Sequence, residues 1–272
     1  MAISTARIHV LLARDVPYGV VIRRGPSKQV ATIGWNRLND SFEIGQWLKG
    51  RIYERRSDLS ADGKHFIYFA MNGKWESETK GSWTAISRAP YLKAIGLWAK
   101  GDCWHGGGLF VRCDRYWLND GYGHEPLIVP ERLTRDPSRP AGGVGAECLG
   151  VYFARLIRDG WTLTQEPSST SDFWIFDKPA RAGWTLRKRA IATIDHPPGK
   201  GCYYDEHELL NASSGERIDG STWEWADLDR DRIVWSESGK LLAAQLETGG
   251  LTDYRELFDF NPLTFEPREA PY

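Results

Sequence analysis

The stretch Ser60-Ala-Asp-Gly-Lys-His-Phe-Ile-Tyr-Phe-Ala70 decides the fold, because it joins a tight-turn signal to an apolar strand. Gly63 can adopt the positive φ that hairpin turns require, and most residues after Lys64 are aromatic or β-branched. The same Ser-x-x-Gly-Lys turn precedes a second apolar run, Ser236-Glu-Ser-Gly-Lys-Leu-Leu-Ala-Ala-Gln-Leu246. The turn glycines, Gly63 and Gly239, lie 176 residues apart, which is four units of 44. This spacing predicts a structural repeat of about 44 residues.

Steps of 44 residues from Gly63 predict further turn-and-strand units near positions 107, 151 and 195. The sequence offers Gly108 before Leu-Phe-Val, Gly150 before Val-Tyr-Phe, and a looser match at 199–204. A repeat of about 40 to 50 residues is typical of propeller blades, small antiparallel sheets that are stabilised by packing on their neighbours. The repeat and the chain length therefore predict an all-β protein, a β-propeller of about five or six blades.

Short segments rich in Val, Ile, Phe, Tyr and Trp recur throughout the chain and are separated by turn residues, which is the all-β pattern. Turn signals such as Asn72-Gly73 and Ser214-Gly215 supply the positive φ of tight hairpins. Three segments have partial helical spacing but are also compatible with strands: Glu43–Lys49, Tyr91–Lys100 and Gly145–Arg158. The predicted strands are Arg7–Leu12, Gly19–Arg23, Val30–Trp35, His65–Ala70, Leu109–Cys113, Val151–Ile157, Asp172–Phe176, Trp184–Ala192, Trp223–Ala226 and Arg232–Trp235.

Two stretches resemble the repeats of known propellers. Leu59–Tyr68 looks like the turn-and-strand segment of WD40-like and TolB-like β-propeller repeats, and Trp223–Leu242 looks like a further blade. Neither stretch carries the Gly-His or Trp-Asp signatures of true WD40 blades. The resemblance implies architecture only, since propellers include enzymes, scaffolds and lectin-like binders. We expect one domain over residues 1-272, with irregular insertions near 130-147 and 165-171.

The composition and the net charge of the chain limit the classes of partner that we expect it to bind. The formal net charge is -1, so no global field attracts nucleic acid or an anionic membrane. Arg181 and Arg187–Arg189 flank Trp184, a mixture that suits phosphates and bases, but such a run is more often an exposed strand face. The sequence has no run of 18 or more apolar residues, no signal peptide, and only four cysteines. We therefore expect a cytoplasmic protein, with neither a membrane nor nucleic acid as its partner.

The motifs of cofactor-dependent and acyl-transfer enzymes are incomplete. His105-Gly-Gly-Gly108 has the residues of the oxyanion-hole segment of some lipases, but Gly-x-Ser-x-Gly is absent, so a glycine-rich turn is the simpler interpretation. Gly-x-x-x-x-Gly-Lys-Ser/Thr is also absent, and Gly143-Val-Gly145-Ala-Glu-Cys148 lacks the third glycine of a dinucleotide site. Asp227-x-Asp229-x-Asp231 lacks the glycine and the glutamate of a calcium loop. We predict no cofactor.

The cysteines leave a metal site open. Cys103, His105 and Cys113, together with Cys148 or Cys202, could supply soft ligands for zinc. The sequence has no Cys-x-x-Cys pair to define the geometry of a structural zinc site. Buried hairpin cysteines are the simpler interpretation, and we predict no bound metal.

Asp205-Glu206-His207-Glu208 is the densest polar cluster of the chain. On a strand, Asp205 and His207 would share one face, and Glu206 and Glu208 the other. Glycoside hydrolysis by general acid and base needs two carboxylates that face the same bond. The cluster therefore supports an alternative function, a carbohydrate-binding or glycoside-hydrolysing propeller.

Tryptophan is the most unusual feature of the composition. The chain has 13 Trp, and surplus rings act as interaction hot spots or sugar-stacking platforms unless they pack between blades. Because no catalytic motif is complete, the leading hypothesis is a non-catalytic interaction module, a scaffold that binds a protein partner, with a glycan as the alternative ligand. The candidate binding residues are Trp75, Trp104, His105, Tyr122 and Trp161.

Overall fold

The computed structural model describes residues 5–26, 28–145, 147–169 and 171–272. Contacts within the chain divide it into two compact units. Unit one contains His9–Arg155 and Leu263–Tyr272, and unit two contains Thr5–Ile8 and Leu156–Pro262. The expectation of a single domain over residues 1-272 stays a prediction.

The strands up to residue 135 form three sheets. They are β1 (Arg7–Leu12), β2 (Tyr18–Arg24), β3 (Gln29–Asn36), β4 (Ser41–Lys49), β5 (Arg51–Ile52), β6 (Asp58–Leu59), β7 (His65–Met71), β8 (Ser82–Arg88), β9 (Ala94–Ala99), β10 (Gly108–Arg112), β11 (Arg115–Leu118), β12 (Glu125–Ile128) and β13 (Thr134–Arg135). Sheet one has the order β1-β2-β3-β4, and sheet three has the order β10-β11-β13. Sheet two has the order β12-β9-β8-β7-β5, with β6 also paired to β7. Pairing in sheets two and three is antiparallel, apart from the short parallel pair of β11 and β13.

The remaining strands form two antiparallel sheets and follow a helix, α1 (Cys148–Arg158). The strands are β14 (Thr162–Gln165), β15 (Phe173–Pro179), β16 (Trp184–Ala192), β17 (Tyr203–Asn211), β18 (Arg217–Gly220), β19 (Trp225–Asp229), β20 (Arg232–Glu237), β21 (Lys240–Glu247) and β22 (Gly250–Asp259). Sheet four has the order β14-β15-β16-β17-β18, and sheet five has the order β19-β20-β21-β22.

The predicted fold class is confirmed, because the described part of the chain is nearly all β and holds five small sheets of β-propeller type. The two Ser-x-x-Gly-Lys motifs are hairpin turns, with φ of +71° at Gly63 and +78° at Gly239. Gly63 joins β6 to β7, whereas Gly239 joins the second and third strands of sheet five. The two turns therefore do not occupy equivalent places in their sheets, although their chemistry is the same.

One predicted strand is wrong. Val151–Ile157 lies in α1, so the blade unit expected near position 151 is not there. The six residues from Val151 to Leu156 are all buried, so this run has no exposed face. A short apolar run does not distinguish a buried helix from a strand, which explains the error. The other two segments with helical spacing are extended, Glu43–Lys49 in β4 and most of Tyr91–Lys100 in β9.

The two predicted insertions are irregular where the structure describes them. Residues 130-147 contain only the two-residue strand β13, and residues 165-171 contain one isolated bridge between Ser168 and Ser171. Ala146 and Thr170, within these segments, lie outside the described residues.

Strand β7 is buried on both faces, which accounts for its continuous apolar sequence. Phe66 and Tyr68 belong to a core cluster that includes Val20 of sheet one. Ile67 belongs to a second cluster that includes Phe110 of sheet three. Because successive side chains of a strand point to opposite faces, a strand that is packed on both sides has no polar face. The central strands of sheet two thus give a rigid base to the loops at their ends.

Candidate functional site

Four of the five candidate binding residues lie in loops at one end of sheet two. Met71 pairs with Ser82, and Ala99 pairs with both Trp83 and Glu125, so the ends of β7, β8, β9 and β12 coincide. Three loops leave these ends: 72–81 with Trp75, 100–107 with Trp104 and His105, and 119–124 with Tyr122. We call these three loops the loop cluster.

Three aromatic side chains of the loop cluster are open to solvent. The exposed fraction is 51% for Trp75, 60% for Trp104 and 76% for Tyr122. The indole of Trp75 lies over Gly81, where a Cβ atom would stand 2.5 Å from the ring. The ring of Tyr122 meets the ring of His105 edge-on, at a centroid distance of 5.4 Å. Exposed rings that rest on neighbouring groups are suited to anchor a partner.

The buried guanidinium of Arg56 holds the middle loop of the cluster in place. It donates hydrogen bonds to the backbone oxygen of Cys103, at 2.6 Å, and to that of His105. Its Nε donates to Sγ of Cys148 at 3.3 Å, and its Nη2 lies 3.4 Å from the carboxylate of Glu147. One side chain thus joins two loop carbonyls to the residues around the start of α1.

The segment His105-Gly-Gly-Gly108 is a structural turn. Gly107 has a φ of +78°, and a Cβ atom there would stand 1.9 Å from the backbone oxygen of Arg56. The N–H of Gly106 donates to the backbone oxygen of Asn119 at 2.7 Å, and the N–H of Gly107 donates to the hydroxyl of Thr84 at 2.9 Å. Because both N–H groups already have protein acceptors, they are not available to form an oxyanion hole.

Two titratable groups of the loop cluster are shielded from solvent, Lys100, which is buried, and His124, which is half-buried. The ammonium group of Lys100, with only 2% of its side chain exposed, donates to the carboxylate of Asp102 at 2.8 Å. Nε2 of His124 lies 3.3 Å from the hydroxyl of Thr84. Burial, reinforced by the charge of Lys100, lowers the pKa of His124 from 6.5 to about 4. His124 is therefore neutral at pH 7.

We predict that His124 titrates with a pKa of about 4 instead of the ordinary 6.5. As the pH falls below 6.5, the unfolded chain takes up a proton at His124 but the folded chain does not, so the free energy of unfolding decreases until the pH reaches about 4. NMR titration of the imidazole protons measures this pKa directly. A His124→Asn variant should lose the same part of the acid sensitivity, and a pKa near the ordinary value would contradict this burial.

Trp161 is not part of the loop cluster. It is buried in unit two, with 2% of the residue exposed. The ammonium groups of Lys188 and Lys178 lie 4.7 Å and 5.5 Å from the centre of its ring. Its indole N–H donates to Asp227 at 3.4 Å, and Lys178 also pairs with Asp227 at 2.7 Å. Trp161 directly follows the Asp159-Gly160 turn, a place where an exposed ring is expected. The chain instead enters the interior of unit two there.

The acidic segment Asp205-Glu206-His207-Glu208 lies on β17, and the carboxylates of Asp205 and Glu208 are engaged in ion pairs. The predicted alternation of faces fits the register, in which Asp205 lies opposite Ala190 and Glu208 opposite Arg187. Asp205 and Lys188, both buried, lie 3.9 Å apart. Glu208 accepts from Arg189 at 2.7 Å and also from Arg217. This segment is therefore described better as a structural charge network than as an acid and base pair.

The same network accounts for the basic run of β16. Arg187 donates to the carboxylate of Asp177 through two nitrogens, each at 2.8 Å, and Arg189 pairs with Glu208. Trp184, the candidate stacking ring, is buried, and its indole N–H donates to the backbone oxygen of Glu247 at 2.8 Å. The arginines thus have carboxylate partners, and this ring presents no free face to a base.

The cysteines are free thiols. Cys103 and Cys202 are exposed and Cys113 is half-buried, so the interpretation of these three as buried hairpin cysteines is wrong, whereas Cys148 is buried at the start of α1. Within the described residues, no group of three or more His, Cys, Asp or Glu side chains is placed to hold a metal ion. No helix in the described ranges is long and apolar enough to cross a membrane. A cytoplasmic location stays a prediction.

No protein-family model matches the chain, and no curated protein matches it. Several solved structures are similar to it at low sequence identity. The isopeptidase AtxE2, in a variant form, has 9% identity and a TM-score of 0.39, over 96% of this chain and 54% of that protein. Hydrazine synthase from Kuenenia stuttgartiensis has 6% identity and a TM-score of 0.30, over 88% of this chain and 76% of that one.

A third similar structure is the periplasmic gluconolactonase of Pseudomonas aeruginosa, with 10% identity and a TM-score of 0.29, over 93% of this chain and 88% of that one. The chain spans about half the length of the isopeptidase. All three TM-scores lie below 0.5, so the fold assignment depends on the five sheets themselves.

Proposed function

We propose that this protein is a non-catalytic β-propeller interaction module that binds a protein partner through the loop cluster. The observation that carries the proposal is the placement of Trp75, Trp104 and Tyr122. These three exposed rings come from three separate loops that leave one end of a single sheet. Aromatic residues dominate the binding energy of protein interfaces when they are grouped, whereas scattered exposed rings carry no such meaning.

The hydrogen bonds that hold the middle loop in place favour a binding role for the exposed rings. Arg56, Thr84 of β8 and Asn119 of the adjacent loop bond to the middle loop, and Ser82 Oγ donates to the backbone oxygen of Asp102 at 2.6 Å. A loop that is ordered before it meets its partner loses less conformational entropy on binding. A larger part of the interaction energy of the exposed rings with a partner then contributes to the affinity.

The proposal is tested by removing the three rings together. In a Trp75→Ala/Trp104→Ala/Tyr122→Ala variant, we expect capture of the native partner from the host to fall by about tenfold or more, since each ring is a candidate hot spot worth about 1 kcal/mol or more. Quantitative mass spectrometry of the captured proteins measures this loss. Because the rings are exposed, we expect the melting temperature to stay within a few degrees of that of the parent protein.

Tyr254→Ala is the matched control, because Tyr254 is also an exposed ring, at 64%, but lies on sheet five. We expect this variant to retain the partner. Equal capture by the parent and the triple variant would contradict the proposal. Ring-dependent binding of a glycan array, without a protein partner, would instead support the carbohydrate-binding alternative.

A further inference from the structure

We infer that the segment recognised by the loop cluster is a basic stretch of polypeptide, in which Arg or Lys side chains lie against the exposed rings. This inference rests on the proposed function and adds the chemistry of the partner. Two features of the loop cluster carry it: a carboxylate excess that internal ion pairs do not remove, and aromatic faces that no cation occupies.

The three loops carry four acidic side chains and three lysines, and a fifth acid, Glu125, follows them on β12. Three of the five acids have cationic partners: Lys80 with Glu125 at 2.6 Å, Lys100 with Asp102 at 2.8 Å, and Arg135 with Asp120 at 2.6 Å. The other two, Glu76 and Glu78, are exposed on the same loop as Trp75 and make no ion pair within the described residues. Of the lysines within the three loops, only Lys74, also exposed, remains to offset them.

Several rings of the protein lie beside a cation. Arg51 lies 4.5 Å from the ring centre of Tyr53, and Arg88 lies 4.7 Å from that of Tyr272. In the part of the chain that the structure describes, no Lys or Arg lies over the exposed rings Trp75, Trp104 or Tyr122. An open aromatic face attracts a cation through its quadrupole, and most strongly when the ring is tryptophan.

These two features reinforce each other. A guanidinium or ammonium group that stacks on a ring of the cluster is also attracted by the unpaired carboxylates of Glu76 and Glu78. An acidic or phosphorylated segment would meet like charge at the same place, which costs binding energy. Charge complementarity therefore selects a basic partner from the peptides that aromatic contacts alone would accept.

Selection from a random dodecapeptide display library tests the inference. The parent protein is the target, and the Trp75→Ala/Trp104→Ala/Tyr122→Ala variant is used for counter-selection. We expect the recovered peptides to be enriched in Arg and Lys. For a synthetic selected peptide, Glu76→Gln/Glu78→Gln should raise Kd by about fivefold, because exposed charge pairs contribute about 0.2 to 1 kcal/mol each.

Glu131→Gln/Glu166→Gln is the matched control, since it removes two exposed carboxylates that lie outside the loop cluster, and we expect it to leave Kd unchanged. Ring-dependent peptides without Arg or Lys, or a Kd that is insensitive to Glu76→Gln/Glu78→Gln, would overturn this inference and still support a protein-binding function. Failure to recover any ring-dependent peptide would contradict both.

Discussion

Replacing Trp161 with alanine is expected to lower the free energy of unfolding by about 3 to 5 kcal/mol, the loss typical of a large buried ring. The indole is almost fully buried, and the ammonium groups of Lys178 and Lys188 lie 5.5 Å and 4.7 Å from the centre of its ring. Removal of the indole leaves a cavity. The buried ammonium group of Lys188 also loses its cation–π contact with the ring. Packing and electrostatic losses therefore add at this position.

Urea denaturation of Trp161→Ala measures this effect. Trp104→Ala is the matched control, because it removes the same side chain from a position that is 60% exposed. We expect the control to change the free energy of unfolding by less than about 0.5 kcal/mol. A loss below about 1 kcal/mol for Trp161→Ala would show that the ring does not pack as described.

Replacing Arg56 with methionine is expected to cost about 3 kcal/mol or more and to weaken partner binding through the loop cluster. Methionine keeps the bulk of the side chain but donates no hydrogen bond. The backbone oxygens of Cys103 and His105 would lose their guanidinium donor, and Glu147 would lose its cationic partner. Buried acceptors that lose a charged donor account for a cost of this size.

Denaturation and partner capture are measured together for Arg56→Met. Arg51→Met is the control, because Arg51 is exposed and contacts the ring of Tyr53. We expect it to cost less than about 1 kcal/mol and to leave capture unchanged. Full stability in Arg56→Met would contradict the role of this guanidinium in supporting the middle loop.

Local signals in the sequence predicted ten strands, and nine of them coincide with strands of the structure, out of 22 in the described residues. Arg7–Leu12 and Trp184–Ala192 have the predicted bounds, and the hairpin turns at Gly63 and Gly239 adopt the positive φ that their glycines suggested. The same local reasoning failed for Val151–Ile157, because a short and almost continuously buried run does not distinguish a helix from a strand.

The candidate site was predictable only in part. Trp75, Trp104 and Tyr122 lie near turn signals and are exposed, but Trp161 also lies near a turn and is buried. Proximity to a turn does not report on the direction in which a side chain points. Arg56 could not be identified from sequence, because its bonding partners Cys103 and Cys148 lie 47 and 92 residues away along the chain.

Site-specific photocrosslinking tests the central claim most directly. The photoreactive residue p-benzoylphenylalanine replaces Tyr122, the most exposed ring of the loop cluster at 76%, or Tyr254 on sheet five as the control. Both proteins are irradiated in the native host, and the covalent adducts are identified by mass spectrometry. A protein adduct that forms at position 122 and not at position 254 is the predicted result. The same adducts at both positions, or none at position 122, would contradict the assignment of the loop cluster as a partner-binding surface.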